Sequence, residues 1–194
     1  AMRKLAILTF QTLDGIMQSP TSPEEDPSDG FTDGGWATTC WDEVMEQVMR
    51  EAMSEPYDLL LGRKTYELFA PNWLNAADDN PVAMKLNNAT KYVVTSTLSE
   101  LEWNNSIAIT GDIATEITRL KKQEGDLLQV HGSWQLIQTL LAHDLIDEYR
   151  LWTFPIIIGS GKRLFGNGRA PKNLKLIESD ICPTGAVMSI YSRN

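Results

Sequence analysis

The sequence predicts an α/β fold: one domain, spanning residues 2–194, built as a sheet of about eight strands flanked by helices. Three observations predict it. Short apolar runs alternate along the chain with segments whose apolar residues recur at helical spacing, the pattern of a sheet covered by helices. The length of 194 residues suits one substantial core better than two small ones. No linker-like composition and no internal repeat divides the chain.

The elements follow in order. Lys4 to Phe10 is an apolar run that reads as a strand, and Leu13-Asp14-Gly15 closes it as a turn. Gln18 to Gly35 holds three prolines, three glycines and five acids, and reads as a long polar loop, either a lid or a mobile insertion. From Asp42 the period changes: Val44, Val48 and Ala52, beside Met45, Met49 and Met53, mark an amphipathic helix, with its methionines read as core. Tyr57 to Leu61 is a buried strand, Gly62 to Thr65 turns into a brief helix through Phe69, and Pro71 to Pro81 reads as a second loop. Lys91 to Thr95 and Ser106 to Ile109 are strands, and Asp112 has the chemistry of an N-cap for a helix that stops at Gly125. Leu127 to Val130 is a strand, and Gly132-Ser133 opens a helix through Leu141. Glu148 to Pro155, Leu174 to Asp180 and Ala186 to Tyr191 complete the eight strands, against about four helices.

Bulk properties exclude several classes. A hydrophobic fraction of 42% and a charged fraction of 22% describe an ordinary globular chain. A net charge of -9 disfavours nucleic acid, whose phosphates require Lys and Arg. Two cysteines and two histidines, spread apart, form neither a disulfide framework nor a zinc site, so the expected compartment is the reducing cytoplasm and no metal is expected. Leu5 to Leu8 is too short for a signal core or a membrane span. Ala1, ahead of Met2, reads as an added residue and carries no argument.

Three strands end alike, in small, hydroxyl or basic residues: Leu59 to Thr65, Tyr92 to Thr97 and Leu128 to Ser133. Ligands of open α/β sheets bind beyond the carboxyl ends of strands, where glycine allows close approach and helix N-termini offer N–H groups to anions. Arg63 adds a fork suited to phosphate. Each ending has a plain structural explanation when taken alone, and the inference of a dinucleotide rests on the three together.

Leu61-Gly62-Arg63-Lys64-Thr65-Tyr66-Glu67 resembles the Gly-Arg-Lys-Thr-aromatic-Glu stretch of dihydrofolate reductases. Gly132-Ser133-Trp134-Gln135-Leu136, Leu145-Ile146-Asp147-Glu148, Phe154 to Phe165 and Thr12-Leu13-Asp14-Gly15 resemble the reductase half of the riboflavin-biosynthesis deaminase–reductases and its stand-alone relatives. The likeness runs in consistent order from about residue 4 to residue 191. It implies a dihydrofolate-reductase-like fold with a mixed, mostly parallel sheet, NADPH as hydride donor, and a homodimer, which the late edge of the C-terminal strands also suggests. The implied reaction is hydride transfer to a small heterocyclic or aminopyrimidine-type substrate, like that of 5-amino-6-(5-phosphoribosylamino)uracil reductase. The alternative is a non-catalytic NADPH-binding homodimer.

By position, the resemblance implies cofactor contacts at Gly62, Arg63, Lys64 and Thr65, at Thr95, Ser96 and Thr97, and at Gly132, Ser133, Trp134 and Gln135. Asp14 and Trp36 would lie nearer the nicotinamide and substrate, and Gly159 and Gly161 would shape the substrate end. Gly159-Ser160-Gly161-Lys162 looks like a phosphate loop but lacks the spacing of either nucleotide fingerprint. Asp42 follows Trp36 at nearly the distance of the carboxylate that supports protonation in dihydrofolate reductases, although acids also favour a helix's first turn for electrostatic reasons. The dihydrofolate reductase counterpart of Gly132-Ser133 is a Gly-Gly pair joined by a cis peptide, so a cis bond is expected here, with the Ser133 hydroxyl capping the helix or binding phosphate. The chain departs from the riboflavin reductases in carrying His131-Gly132-Ser133 where they carry Glu-Gly-Gly, and in its longer acidic loop. The missing acid leaves open which heterocycle is reduced. No deaminase zinc signature is present.

Overall fold

The computed structural model describes residues 3–74, 81–96, 101–166 and 171–193. Among the described residues eight strands form one sheet: β1 (Leu5–Thr12), β2 (Tyr57–Gly62), β3 (Lys91–Val94), β4 (Ser106–Ile109), β5 (Leu127–His131), β6 (Glu148–Phe154), β7 (Leu174–Ile181) and β8 (Val187–Arg193). Their order is β4-β3-β2-β5-β1-β6-β8-β7. The sheet is mostly parallel and flanked by helices. Strand β8 runs antiparallel to both β6 and β7. The helices are α1 (Glu43–Ala52), α2 (Arg63–Leu74), α3 (Pro81–Asn88), α4 (Ile113–Lys122) and α5 (Trp134–Ala142). Contacts group the chain into two compact units, Ala1–Ala6 with Pro56–Ile146, and Ile7–Glu55 with Asp147–Asn194.

In the first unit, β2 pairs in parallel with β3 on one side and β5 on the other. Leu59, Leu60 and Leu61 are all buried, because a central strand covered on both faces needs apolar residues at consecutive positions rather than alternate ones. Two cations are buried with them. Arg3 binds Asp58 at 2.6 Å and donates to the Asp126 carbonyl at 2.9 Å. Lys91 is fully buried and donates to the carbonyls of Asn87 and Asn104, both at 2.7 Å, beneath the Trp103 ring. Burial lowers the Lys91 ammonium from 10.5 to about 8, because lost hydration disfavours its charged form.

Pro71, where the sequence suggested the start of a loop running to Pro81, lies inside α2; residues 75–80 of that loop lie outside the described residues, and α3 occupies a stretch to which the sequence reading gave no element. Proline there forgoes one backbone bond of the helix. Pro81 opens α3, where a missing N–H costs nothing.

In the second unit, the core gathers Leu8, Trp36, Cys40, Met45, Trp152, Phe154, Cys182, Met188 and Ile190. Helix α1 packs on it through Met45, Val48, Met49 and Ala52. Val44, read as part of the buried face, is 44% exposed, so the buried stripe is rotated by one residue toward the methionines. Asp42 is the N-cap of α1, accepting the Met45 N–H at 2.8 Å. Cys40 and Cys182 are both buried and unpaired as disulfides.

The acidic loop is tied down at several points. Gln18, 3% exposed, donates through Nε2 to the Asp26 and Ser28 carbonyls at 2.9 and 3.0 Å and accepts the Lys162 N–H at 3.1 Å. Lys162 Nζ meets Asp26 at 2.6 Å, the Asp26 N–H meets Ser19 Oγ at 2.6 Å, and the Gly35 N–H meets the Ser19 carbonyl at 2.8 Å.

Candidate active site

Two groups of predicted site residues assemble, one within each unit. In the first unit the parallel register sets Gly62 beside Val94 and Leu60 beside Val130. Counting two residues on from Leu60 and Val130 brings Gly62 and Gly132 to one level, and Thr95 and Ser96 follow Val94 directly. Three strand ends therefore share the carboxyl edge that the sequence implicated.

Ser133 joins two of these ends. Its hydroxyl accepts the Gly62 N–H at 3.1 Å and donates to Thr65 Oγ1 at 2.6 Å. A Cβ at Gly62 would lie 3.4 Å from Ser133 Oγ, an ordinary contact, so the two strand ends pack against each other here while still admitting that atom. The expected cis bond is absent: among the described residues every peptide is trans. The chain turns instead by placing two successive residues in the left-handed region, Gly132 with φ 60° and Ser133 with φ 62° and ψ 69°. A side chain in that region costs roughly 1–2 kcal/mol, and the two hydroxyl bonds hold it there. Those bonds also explain why Ser133 does not cap α5 through its side chain.

Around this bridge, Arg63 pairs with Glu67 at 3.3 Å while its side chain stays 42% exposed, and Lys64 is exposed. Trp134 is half-buried and Gln135 exposed at the start of α5. Thr95 is buried and its N–H continues the ladder to Ile109 at 3.1 Å, whereas Ser96 is exposed. Thr97 lies outside the described residues. A Cβ built on Gly132 meets nothing within 4 Å, leaving its backbone open to a ligand. Two basic side chains, one of them exposed, beside an open, glycine-bearing strand end fit a phosphorylated dinucleotide. His131, where the riboflavin reductases have an acid, is half-buried between Tyr57 and Phe69, with Gln129 Nε2 2.6 Å from its Nε2.

In the second unit Asp14 grips the turn after β6. Its carboxylate accepts the Thr12 hydroxyl at 2.5 Å, the Ile158 N–H at 3.3 Å and the Gly159 N–H at 2.7 Å. Chiefly the Thr12 hydroxyl, and after it the two backbone donors, hold the carboxyl below the usual carboxylate range. Arg163 closes the same turn by donating to the carbonyls of Asp14 and Gly159. Gly159 (φ 95°) is open on the side a Cβ would occupy, whereas Gly161 packs tightly, with a Cβ there only 2.9 Å from Ile16. Trp36 is 4% exposed: its ring meets Phe154 edge-on and its Nε1 donates to the Gln18 carbonyl at 2.8 Å. Asp42 is half-buried, one oxygen engaged in the helix cap.

Gln18, Asp26, Lys162 and Arg163 escaped the sequence reading. Their role is carried by backbone partners far away in the chain, which no local spacing reveals. Among the described residues, no group of three or more His, Cys, Asp or Glu could hold a metal ion, and no helix is long and apolar enough to cross a membrane.

Comparison with known proteins places these features. The family model of the RibD C-terminal domain matches residues 3–188. The uncharacterised protein YyaP of Bacillus subtilis (strain 168) is 27% identical over 199 aligned residues, covering 99% of this chain and 96% of that protein. A candidate riboflavin biosynthesis protein of Shewanella sp. PV-4 superposes with a TM-score of 0.64 at 20% identity, over 100% of this chain and 99% of its own. Dihydrofolate reductase of Enterococcus faecalis, complexed with NADP(H) and RAB-propyl, superposes with a TM-score of 0.58 at 13% identity, over 98% and 96% of the two chains. Both superpositions establish a dihydrofolate-reductase-like fold.

Proposed function

Since this chain belongs to the RibD C-terminal domain family, a family of reductase type, we propose that it is a cytoplasmic, NADPH-dependent reductase whose single domain acts on a small nitrogen heterocycle of the aminopyrimidine kind. The observation that carries the reading is the Gly62–Thr65–Ser133 bridge, which ties together two strand ends next in sequence to the half-buried Arg63 and the exposed Lys64. In this reading NADPH supplies the hydride. Gly62 to Thr65, with Thr95, Ser96 and Thr97, bind its phosphate and adenosine portions, and Gly132 to Gln135 meet the pyrophosphate. Asp14, Trp36, Gly159 and Gly161 form the acceptor side: Asp14 positions the Gly159 turn, and Trp36 supports it from the core. Asp42 or water supplies the proton. The chain acts as a homodimer. The cytoplasmic location is supported by the sparse, unpaired cysteines.

Fluorescence titration with NADPH and NADH tests the reading. NADPH should bind more tightly, and Arg63→Ala should weaken it by about 1.5–3 kcal/mol, the range for a charge-assisted hydrogen bond. That is roughly tenfold to more than a hundredfold in affinity. Equal affinity of the native protein for the two nucleotides would sink the phosphate assignment.

A second reading, a non-catalytic NADPH-binding homodimer, is favoured by one observation: Asp14 and Asp42 both spend carboxylate oxygens on structural hydrogen bonds. Tight NADPH binding with no acceptor-dependent fall in absorbance would select it.

A further inference from the structure

Among the described residues, the buried polar side chains are hydrogen-bonded with one exception. Gln18 donates to the Asp26 and Ser28 carbonyls, Lys91 to those of Asn87 and Asn104, and Lys121 to that of Leu145. The exception is Thr9. It is 2% exposed, and its Oγ1 is, among the described residues, the one buried side-chain nitrogen or oxygen with no hydrogen-bond partner. A hydroxyl buried unpaired carries a cost that an isosteric valine avoids, so its presence in the strand calls for an explanation.

The surroundings of Thr9 grade from apolar to polar. Successive residues of a strand face opposite sides, so Ile7, Thr9 and Gln11 share one face of β1. Phe10 lies on the other face, against Phe154 and the core around Trp36. On the neighbouring strand β6, Thr153 Oγ1 accepts the Gln11 Nε2 donor at 3.3 Å, which puts Tyr149, Leu151 and Thr153 on the Thr9 side. Ile7 and Leu151 are buried, whereas Gln11 and Thr153 are half-buried. Thr9 thus lies a single strand repeat, roughly 6–7 Å, from a pair of side chains that solvent reaches. At 3.3 Å the Gln11–Thr153 bond is longer than the usual N–H···O range of about 2.7–3.2 Å, so it holds the Gln11 amide only weakly. Neither the three residues of β1 nor the three of β6 on this face carry a charge.

A charged ligand group brought here would be buried without a counter-ion, at a cost that favours a neutral group. The Thr9 hydroxyl both donates and accepts, and so does the Gln11 amide. A primary carboxamide, with its N–H donors beside a carbonyl, matches both. We propose that Thr9 and Gln11 form a subsite for an uncharged primary carboxamide, whose carbonyl accepts the Thr9 O–H and whose N–H donates to Gln11 Oε1. The subsite itself rests on the strand face alone. Its assignment to the carboxamide of a nicotinamide ring rests on the reductase reading above, and the acceptor is the alternative source of the group.

The test titrates the full chain calorimetrically with nicotinamide and with nicotinate, which share a ring and differ in amide against carboxylate, each with and without saturating NADP+. Nicotinamide should bind at least about tenfold more tightly than nicotinate. Thr9→Val keeps the shape and removes the hydroxyl. It should raise the Tm of the ligand-free protein by about 2–4 °C and weaken nicotinamide binding at least about fivefold. Thr9→Ser keeps the hydroxyl and should leave that affinity within about twofold. Competition between NADP+ and nicotinamide assigns the subsite to the cofactor, and undiminished nicotinamide binding beside bound NADP+ assigns it to the acceptor. Binding of NADP+ itself, followed separately, reports on the reductase reading and not on the subsite, which the nicotinamide titration decides without it. Failure of nicotinamide to bind would overturn the proposal. Equal or tighter binding of nicotinate would do the same, and so would a nicotinamide affinity that Thr9→Val leaves unchanged. A lower Tm in ligand-free Thr9→Val would show that the hydroxyl is already satisfied within the protein, and would overturn it as well.

Discussion

Ser133 shows how a single side chain can set a local backbone. Its left-handed conformation is unfavourable for any residue with a Cβ, and its hydroxyl ties it to Gly62 and Thr65. Ser133→Ala keeps the strain and removes both bonds, at a cost of about 1–3 kcal/mol if the Gly62 N–H is left without a partner. Ser133→Gly loses the same bonds but relieves strain worth roughly 1 kcal/mol. Thermal unfolding should therefore find the glycine variant the more stable of the two, and the reverse order would show that a Cβ at this position is not under strain. Lys91 gives a second expectation. Its ammonium titrates near 8 in the folded chain against 10.5 in water, so between those values the unfolded chain holds more protons and stability rises with pH. Below about 8 both states are protonated and the full burial penalty persists. Lys91→Met should remove this rise, which a Tm-against-pH comparison of the two proteins would detect. Identical slopes above pH 8 would contradict it. Asp14 runs the other way: its depressed carboxyl favours the folded chain at neutral pH, and that contribution fades as acid protonates it. The chemical identities of these residues are plain in the sequence, but the αL turn at Ser133, the burial of Lys91 and the partners of Asp14 are set by distant backbone and were not.

At the scale of elements, strand and helix positions were largely legible because they follow from periodicity. Ser106–Ile109 coincides with its expected span, and β2, β5 and β6 differ at their ends by one residue or so. Helix α3 was not read from the sequence because its eight residues are too few to show a helical period, and only Pro81 at its first position signals a start. The α1 cap lets two roles of Asp42 be separated. Asparagine caps helices about as well as aspartate, whereas alanine costs about 1 kcal/mol. Asp42→Asn should therefore leave the unfolding transition nearly unchanged while Asp42→Ala lowers it. If Asp42 delivers a proton, both variants lose turnover alike. Full activity in Asp42→Asn would confine the residue to its cap.

For the molecule as a whole, the sheet ends in β7, whose residues from Lys175 to Ile181 are all exposed, including Leu176, Ile177 and Ile181 at 53%, 54% and 79%. An edge strand with aliphatic side chains and open backbone groups invites pairing with another chain. In the homodimer reading this edge is the contact: sedimentation at micromolar concentration should give about twice 21.7 kDa, and Ile177→Lys with Ile181→Lys should return the single-chain mass without loss of fold. A native mass of 21.7 kDa would refute the dimer. The acidic loop has a consequence of a different kind. Its proline, glycine and acid content resembles that of segments that proteases cut first, and Glu24-Glu25 offers a glutamate-specific protease two adjacent sites. Yet a scissile segment must unfold locally to enter a protease cleft, and here Gln18, Asp26 and Lys162 hold the loop closed. Native digestion at this site should therefore be slow, and Asp26→Ala should make it the first bond to be lost.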